Sequence, residues 1–253
     1  MIAVLITARA GSVRLAQKHL IEANHKPLLY WLIKRFEHEF EKEIAQKELC
    51  LVIATSEKPG NEIFSVATQG TSCSIIHGSD DNIPLRHLQC AKKSRAEYII
   101  SVDGDDILCS THAARAIFEK MRAHQPFDVF ATGGLPLGMN IWGYSTAFLE
   151  KCLSDQHDKK LETGWGRIFV NARQDTIKSG DHDIMSDLRF TLDYDQDAEF
   201  FCTVINKLGD TIISMRDEEL ITFVEQNELY KINASLKEIY WNNYNQQKQS
   251  EQQ

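Results

Sequence analysis

The sequence predicts a layered α/β domain built on a mostly parallel sheet. Short β-rich apolar runs alternate with helix-patterned segments through the first half of the chain. Those runs are apolar on both alternating faces, as strands covered by helices on both sides must be. Size sets the scale: 253 residues, 43% of them hydrophobic, suffice for one large domain with a sizeable core.

In chain order, strands are expected over 2–8 (IAVLITA), 49–56 (LCLVIATS), 73–78 (CSIIHG) and 96–105 (AEYIISVDGD). The first helix is expected within 26–42, where Pro27 suits a first turn and Leu28, Leu29, Trp31, Leu32, Ile33 and Phe36 recur at helical spacing. Further helices fall near 62–69, 84–93 and 111–123. Beyond Phe130 the alternation loosens. A strand over 127–134, a strand and helix within 138–155, and a strand and helix within 188–209 are expected there, the last helix capped by an aspartate. The intervening 133–187 read as an inserted substrate-facing subdomain. The end, 243–253, is polar and rich in Gln and is expected to fray, which leaves 1–242 as a single domain.

Lys and Arg total 28 against 36 Asp and Glu, and the resulting formal charge of -8 argues against nucleic-acid or anionic-membrane partners. Six scattered cysteines without a C-x-x-C pair support neither a zinc ribbon nor a disulfide scaffold and suit a reducing cytoplasm. The apolar opening is too short for a membrane helix, which needs roughly 20 residues, and lacks a basic leader.

Against this acidic background, Arg9, Arg14 and Lys18 crowd into the loop after the first strand, around Gly11 and Ser12. In open α/β sheets such loops face the ligand crevice. The glycine lets backbone N–H groups approach a phosphate, and the cations supply charge-assisted bonds to several phosphate oxygens at once. A solvated basic turn is the competing reading. The loop is neither a Walker A motif nor a dinucleotide fingerprint, since no G-K-[ST] or second spaced glycine follows. A second cluster, Asp103, Asp105 and Asp106 around Gly104, ends the fourth strand. Carboxylates this close repel unless a cation or water screens them, and hard oxygen ligands beside phosphates suit Mg2+. Asp193, in FTLDYDQD, is a second strand-end carboxylate able to share that metal with Asp105. Tyr144, Trp165 and Trp142 read either as a sugar platform or as packing, and Arg167 and Arg189 as a clamp for a substrate carboxylate or as partners of neighbouring acids. The segment 180–187 (GDHDIMSD) reads as an acidic loop.

These motifs resemble the cytidylyltransferases that activate acidic sugars, the CMP-sialic acid and CMP-Kdo synthetases and their spore-coat polysaccharide relatives. The hallmark A-R-x-G-S-x-R-x-x-x-K stands here as Ala8, Arg9, Gly11, Ser12, Arg14 and Lys18. It continues through KPLL, VIATS, HGSDDNIPLRH, VDGDD and LRFTLDYDQD. The resemblance implies a GT-A-like, Rossmann-like three-layer nucleotidyltransferase fold, with CTP phosphates on the first loop and Mg2+ on Asp105 and Asp193. It places cytosine and ribose against Ala54, Thr55, Ser56, Gly78, Ser79 and Arg86, and counts Asp103 among the nucleotide-binding residues. It further implies an acidic sugar of the 3-deoxy-2-ulosonic type as acceptor, a role in surface-glycan precursor synthesis, and a homodimer formed through the middle subdomain. Another nucleotidyltransferase or a glycosyltransferase of the same fold, or a non-catalytic nucleotide-binding relative, are the alternatives. The chain departs from the spore-coat pattern at Leu15, Ala16 and Gln17, where relatives read L-P-G, and its segment 162–169 (ETGWGRIF) is unlike their sugar-side sequence.

Overall fold

A computed structural model describes residues 1–11, 14–154 and 160–250. The chain runs β1 (Ile2–Thr7), a two-residue hairpin of β2 (Glu22–Ala23) and β3 (Lys26–Pro27), α1 (Leu28–Glu39), α2 (Glu41–Ala45), β4 (Leu49–Ser56), α3 (Phe64–Ala67), β5 (Ser74–Gly78), α4 (Ile83–Ser94) and β6 (Tyr98–Asp103). It continues with α5 (Thr111–Arg122), β7 (Val129–Gly133), β8 (Trp142–Ser145), α6 (Thr146–Cys152), β9 (Gln174–Lys178), α7 (Asp195–Leu208), α8 (Asp217–Gln226) and α9 (Lys237–Ser250).

Seven strands form one sheet in the order β5-β4-β1-β6-β8-β7-β9. The pairs β1–β4, β1–β6, β4–β5 and β7–β9 are parallel, while β8 runs antiparallel to both its neighbours. Side chains alternate across the sheet as the pleat requires. Ile2, Val4 and Ile6 pack on the face that holds Trp31 and Phe36 of α1 and Phe118 of α5. Ala3 and Leu5 pack on the opposite face, with Leu88 and Ala91 of α4 and Leu149 of α6. Both faces are therefore dry, which is why the strands read as unbroken apolar runs. Asn82 starts α4 by accepting the Leu85 N–H at 2.9 Å, and Ser110 starts α5 by accepting that of Ala113 at 2.8 Å.

The chain lays β1, β4 and β5 outward in one direction, then crosses back to place β6 on the other side of β1. This reversal is the topological switch point, where such sheets open a crevice at the carboxyl ends of the strands. Thr7 and Asp103, the last residues of β1 and β6, are register partners. The cationic loop and the aspartate cluster therefore leave the sheet side by side.

The structure departs from the sequence reading in three places. Residues 133–187, expected as an inserted subdomain, give β8 and β9 to the central sheet and Trp165 to one of its two cores. The strand expected at the start of 188–209 does not form. Among the described residues that segment makes only an isolated bridge from Arg189 to Leu137, with Phe190 N–H donating to Leu137 O at 2.8 Å and Leu192 N–H to Asp105 O at 2.9 Å. It is held by loops, not by a strand edge. Finally, the segment expected to fray from 243 continues α9 to Ser250, because the helix finds partners outside its own sequence. Asn243 Nδ2 donates to Tyr194 Oη at 2.8 Å, and Lys237 pairs with Asp187 at 3.1 Å. All six cysteines are free, and Cys73, Cys90 and Cys109 are buried.

Candidate active site

The crevice is a cavity of about 400 Å³ lined by Thr7, Ala8, Arg9, Gly11, Arg14 and Lys18 from the first loop and by Asp103 and Asp105 from the β6 loop. Arg86 and Ile83 of α4 add one wall, and Lys160, Glu162, Thr163, Trp165 and Gln247 another. Its size is in the range of small-molecule sites.

Gly104 brings the two loops together. Its N–H donates to Thr7 O at 2.8 Å, and a Cβ there would stand 2.8 Å from that oxygen and 3.1 Å from His19 Nε2. Only a residue without a side chain allows this approach. After it, Asp105 turns toward the first loop. Lys18, only 6% exposed, places its ammonium 2.6 Å from Asp105 Oδ2, 2.8 Å from Leu192 O and 3.4 Å from Asp193 Oδ1. The carboxylates of Asp105 and Asp193, distant in sequence, thus converge on a single cation. His19 Nε2 lies 2.9 Å from Asp105 Oδ1, and Arg14 Nη2 donates to Asp193 Oδ1 at 2.6 Å.

Burial opposes every charge here, and pairing decides each outcome. Burial alone would lower the Lys18 pKa, but Asp105 and Asp193 hold it above the usual lysine value. Burial likewise pushes Asp105 up, yet Lys18 and His19 overcome it and hold the carboxyl well below the usual range. Asp103 has no such partner. Its side chain opens into the cavity, but protein surrounds it there, and burial together with the Asp105 charge raises it to about 6. Asp106 is also held well above the usual carboxylate range, by burial and then by Asp103.

Arg189 stands behind Asp193. It donates from Nε and Nη2 to the two oxygens of Asp197 at 2.9 and 3.0 Å, and from Nη2 to Asp193 Oδ2 at 3.2 Å. Asp197 also accepts the N–H groups of Asp193 and Tyr194, at 3.0 and 3.1 Å, which fixes the start of α7. Arg189 is therefore bound to acids beneath the cleft and does not line it, the alternative its sequence position left open. Tyr144 is buried, its hydroxyl 2.6 Å from His87 Nδ1, and His87 Nε2 is in turn 2.7 Å from Thr7 Oγ1. It is a packing residue, as is Trp142, which lies 4.5 Å centroid to centroid from Trp165. Arg167 donates to Thr163 O at 2.5 Å and lies outside the cavity lining, whereas Trp165 forms part of it.

On the far side of β1, Ala54, Thr55, Ser56, Gly78 and Ser79 end β4 and β5 next to the cavity without lining it. Arg86, 1% exposed, is the member of that group that reaches the wall. Its Nε donates to Ser79 O and its Nη2 to Asp80 O, both at 2.6 Å, and burial followed by the charge of Arg9 lowers its pKa. Ser12 lies outside the described residues.

Sequence reasoning missed several contributors. Glu162 accepts from Arg9 Nη1 and Nη2 at 2.6 and 3.1 Å, and Asn61 Oδ1 accepts the Ala10 N–H at 2.8 Å, holding the first loop to the segment that follows β4. Gln247 reaches the cavity from α9, with Oε1 3.5 Å from Thr163 Oγ1. The unusual composition of 162–169 was the only sequence signal for Glu162, and none existed for Gln247.

For a cation, the donor set is two carboxylates. Among the described residues no group of three or more His, Cys, Asp or Glu side chains is arranged to hold a metal. A hard ion bound chiefly by phosphates and water needs no more than one or two protein carboxylates, so Asp105 and Asp193 fit that role.

A switch-point crevice whose three loop cations are matched by Asp105, Asp193 and Glu162 suits a ligand that carries phosphates. The fold and this cleft define a nucleotidyltransferase. The chain belongs to the cytidylyltransferase family, whose sequence profile, described as Cytidylyltransferase, matches residues 3–164. A cytidylyltransferase from Leptospira borgpetersenii serovar Hardjo-bovis is similar in structure, with a TM-score of 0.75 at 18% identity over 90% of this chain and 95% of that one. CMP:2-keto-3-deoxy-manno-octonic acid synthetase complexed with CTP gives 0.58 at 14% identity, covering 81% and 98% of the two chains. HddC from Yersinia pseudotuberculosis gives 0.55 at 16% identity, covering 80% and 99%. No curated protein matches the sequence.

Proposed function

We propose that the protein transfers CMP from CTP to an acidic sugar, of the 3-deoxy-2-ulosonic type, with Mg2+ as cofactor and pyrophosphate as the second product. The observation that carries this reading is the meeting of Asp105, which lines a cleft of about 400 Å³, and Asp193, buried just behind that lining, on one cation beside Arg9 and Arg14. The acceptor hydroxyl attacks the α-phosphorus of CTP. A new P–O bond forms, the bond to the β-phosphate oxygen breaks, and pyrophosphate leaves with that electron pair while the hydroxyl proton passes to solvent. Arg9, Arg14 and Lys18 bind the β- and γ-phosphates and stabilise the charge that builds on the leaving group. Asp105 and Asp193 hold Mg2+, which when bound supplies positive charge to the phosphate oxygens and acidifies the acceptor hydroxyl. Arg86 on the α4 wall receives cytosine and ribose, with the ends of β4 and β5 behind it, and the wall of Lys160, Thr163 and Trp165 receives the acceptor.

The acidic acceptor is supported by Lys160 on the acceptor wall, a lining cation not assigned to the phosphates or the nucleoside, and by the motif resemblance. The same resemblance supports a cytoplasmic homodimer that supplies a surface-glycan precursor. Among the described residues no helix is long and apolar enough to cross a membrane. The test is pyrophosphate release with each nucleoside triphosphate in turn, against a panel of ulosonic acids, neutral sugars, sugar 1-phosphates and phosphonates. Release with CTP and an ulosonic acid is expected. Release only with sugar 1-phosphates, or CTP binding without turnover, would replace this reading.

A further inference from the structure

We propose that Lys18 is a place-holding cation, whose ammonium fills the position between Asp105 and Asp193 that a divalent ion takes in the loaded enzyme, so that metal enters only after nucleotide phosphates have drawn Lys18 away. The proposal rests on the reading of Asp105 and Asp193 as the carboxylates that hold the metal.

The ammonium has three protons, and three acceptors receive them, Asp105 Oδ2 at 2.6 Å, Leu192 O at 2.8 Å and Asp193 Oδ1 at 3.4 Å. This is a filled coordination shell around a buried charge, on the two carboxylates suited to a metal. An ion that sits about 2.0–2.1 Å from the same oxygens cannot share the space. Metal alone would have to expel a buried ammonium and leave it without an anionic partner, a costly separation in a poorly solvated site. A triphosphate removes that cost by offering phosphate oxygens to the ammonium, which a flexible four-carbon stem lets swing within the cleft it already lines.

The other loop cations are paired in the same way. Arg14 shares Asp193 Oδ1 with Lys18, and Arg9 is held by both oxygens of Glu162. Acids from three other segments of the chain therefore hold the loop cations where phosphates would act, and nucleotide displaces them together. Nucleotide and metal are thereby coupled, each raising the affinity for the other.

The test uses Mn2+ as the probe and no nucleotide. Binding to the full-length protein is followed by the loss of free Mn2+ signal in electron paramagnetic resonance, and thermal melting with and without Mn2+ reports folding. Lys18→Met is expected to bind Mn2+ at least tenfold more tightly than wild type and to gain the larger increase in melting temperature. Lys18→Met/Asp105→Asn is expected to lose that gain. Lys18→Gln, which keeps a donor for Leu192 O, provides the same comparison should the Met variant not fold. Equal Mn2+ affinity in wild type and the Lys18 variants, including no binding in either, overturns the proposal. Its failure is separable from that of the functional reading, because Mn2+ binding is measured without turnover and the pyrophosphate screen without Lys18 variants.

Discussion

Arg189→Met separates a residue that aims a carboxylate from one that grips a substrate. Arg189 is 3% exposed, and its guanidinium makes three hydrogen bonds of 2.9 to 3.2 Å to Asp197 and Asp193, both of which are buried. Methionine keeps much of the volume and removes the charge. Breaking a buried pair from one side costs about 3–5 kcal/mol, because the remaining carboxylates keep their desolvation without their partner. Asp197 retains two backbone N–H groups and Asn233 Nδ2, at 2.9 Å, so the lower end applies. For a domain of this size each kcal/mol lowers the melting temperature by about 2–4 °C, which gives a fall of about 6–12 °C. The assay is thermal unfolding by circular dichroism at pH 7, with CTP affinity measured by calorimetry below the transition. Arg189→Met/Asp197→Asn should recover part of the loss, since it also removes the unpaired charge. A melting temperature within 2 °C of wild type, with only the acceptor KM raised, would refute the reasoning and return Arg189 to substrate binding.

Other outcomes follow from particular contacts. His87 is held down to about 3 by burial and then by the neighbouring Arg86, against about 6.5 unfolded. The unfolded chain therefore binds a proton that the native one refuses, and the His87 contribution to stability falls as pH drops below 6.5, by up to about 1.4 kcal/mol per pH unit. Asp103 and Asp106, whose carboxyls are raised in the native state, act in the opposite direction. The test is therefore the difference between wild type and His87→Gln in urea unfolding at pH 7, 6 and 5, and wild type should lose stability relative to the variant as the pH falls. Gly104→Ala should cost well over tenfold in turnover, because its Cβ would press on Thr7 O and His19; activity and melting temperature equal to wild type would contradict the account of that approach. Truncation after Asn242 removes Gln247 and the Asn243–Tyr194 bond from the cleft rim. It should raise the acceptor KM several-fold while CTP affinity, by calorimetry, stays within about twofold.

The first half of the fold was legible because each strand there is buried on both faces and each helix carries a single apolar stripe. Leu49–Ser56 was read to the residue, and Ser74–Gly78 and Thr111–Arg122 to within one. The segment 188–193 was misread for a physical reason. Its apolar residues Leu188, Phe190 and Leu192 do alternate and are buried, but they pack under loops, and hydrogen bonds to Leu137 and Asp105 replace a strand neighbour. Periodicity reports burial, not the pairing partner. The C-terminal helix was hidden for the converse reason. Its polar sequence buries little, and its order comes from Tyr194, Arg189 and Asp187, none of which local composition can reveal.

At the site, residue type was more legible than partnership. The loop cations and Asp105 are legible as charge placed after strand ends, where the topology makes a crevice, whereas the strand expected to end at Asp193 does not form and loop contacts bring that carboxylate to Lys18. That Lys18 would sit between Asp105 and Asp193 depends on contacts 87 and 175 residues apart in the chain. Tyr144 and Arg189 show the limit of type alone, since an aromatic ring or a guanidinium serves packing and ion pairing as readily as substrate binding.

The central claim is that Asp105 and Asp193 act together on one reaction at one cation position. The most direct measurement is the rate of pyrophosphate release from CTP, with the acceptor identified by the screen, in Asp105→Asn and Asp193→Asn and in the double variant. Each single change should lower the rate at least a hundredfold with circular dichroism unchanged, and the double variant should fall little further, because one shared function is lost only once. Substantial activity in either single variant, or losses that multiply in the double variant, would contradict a shared site.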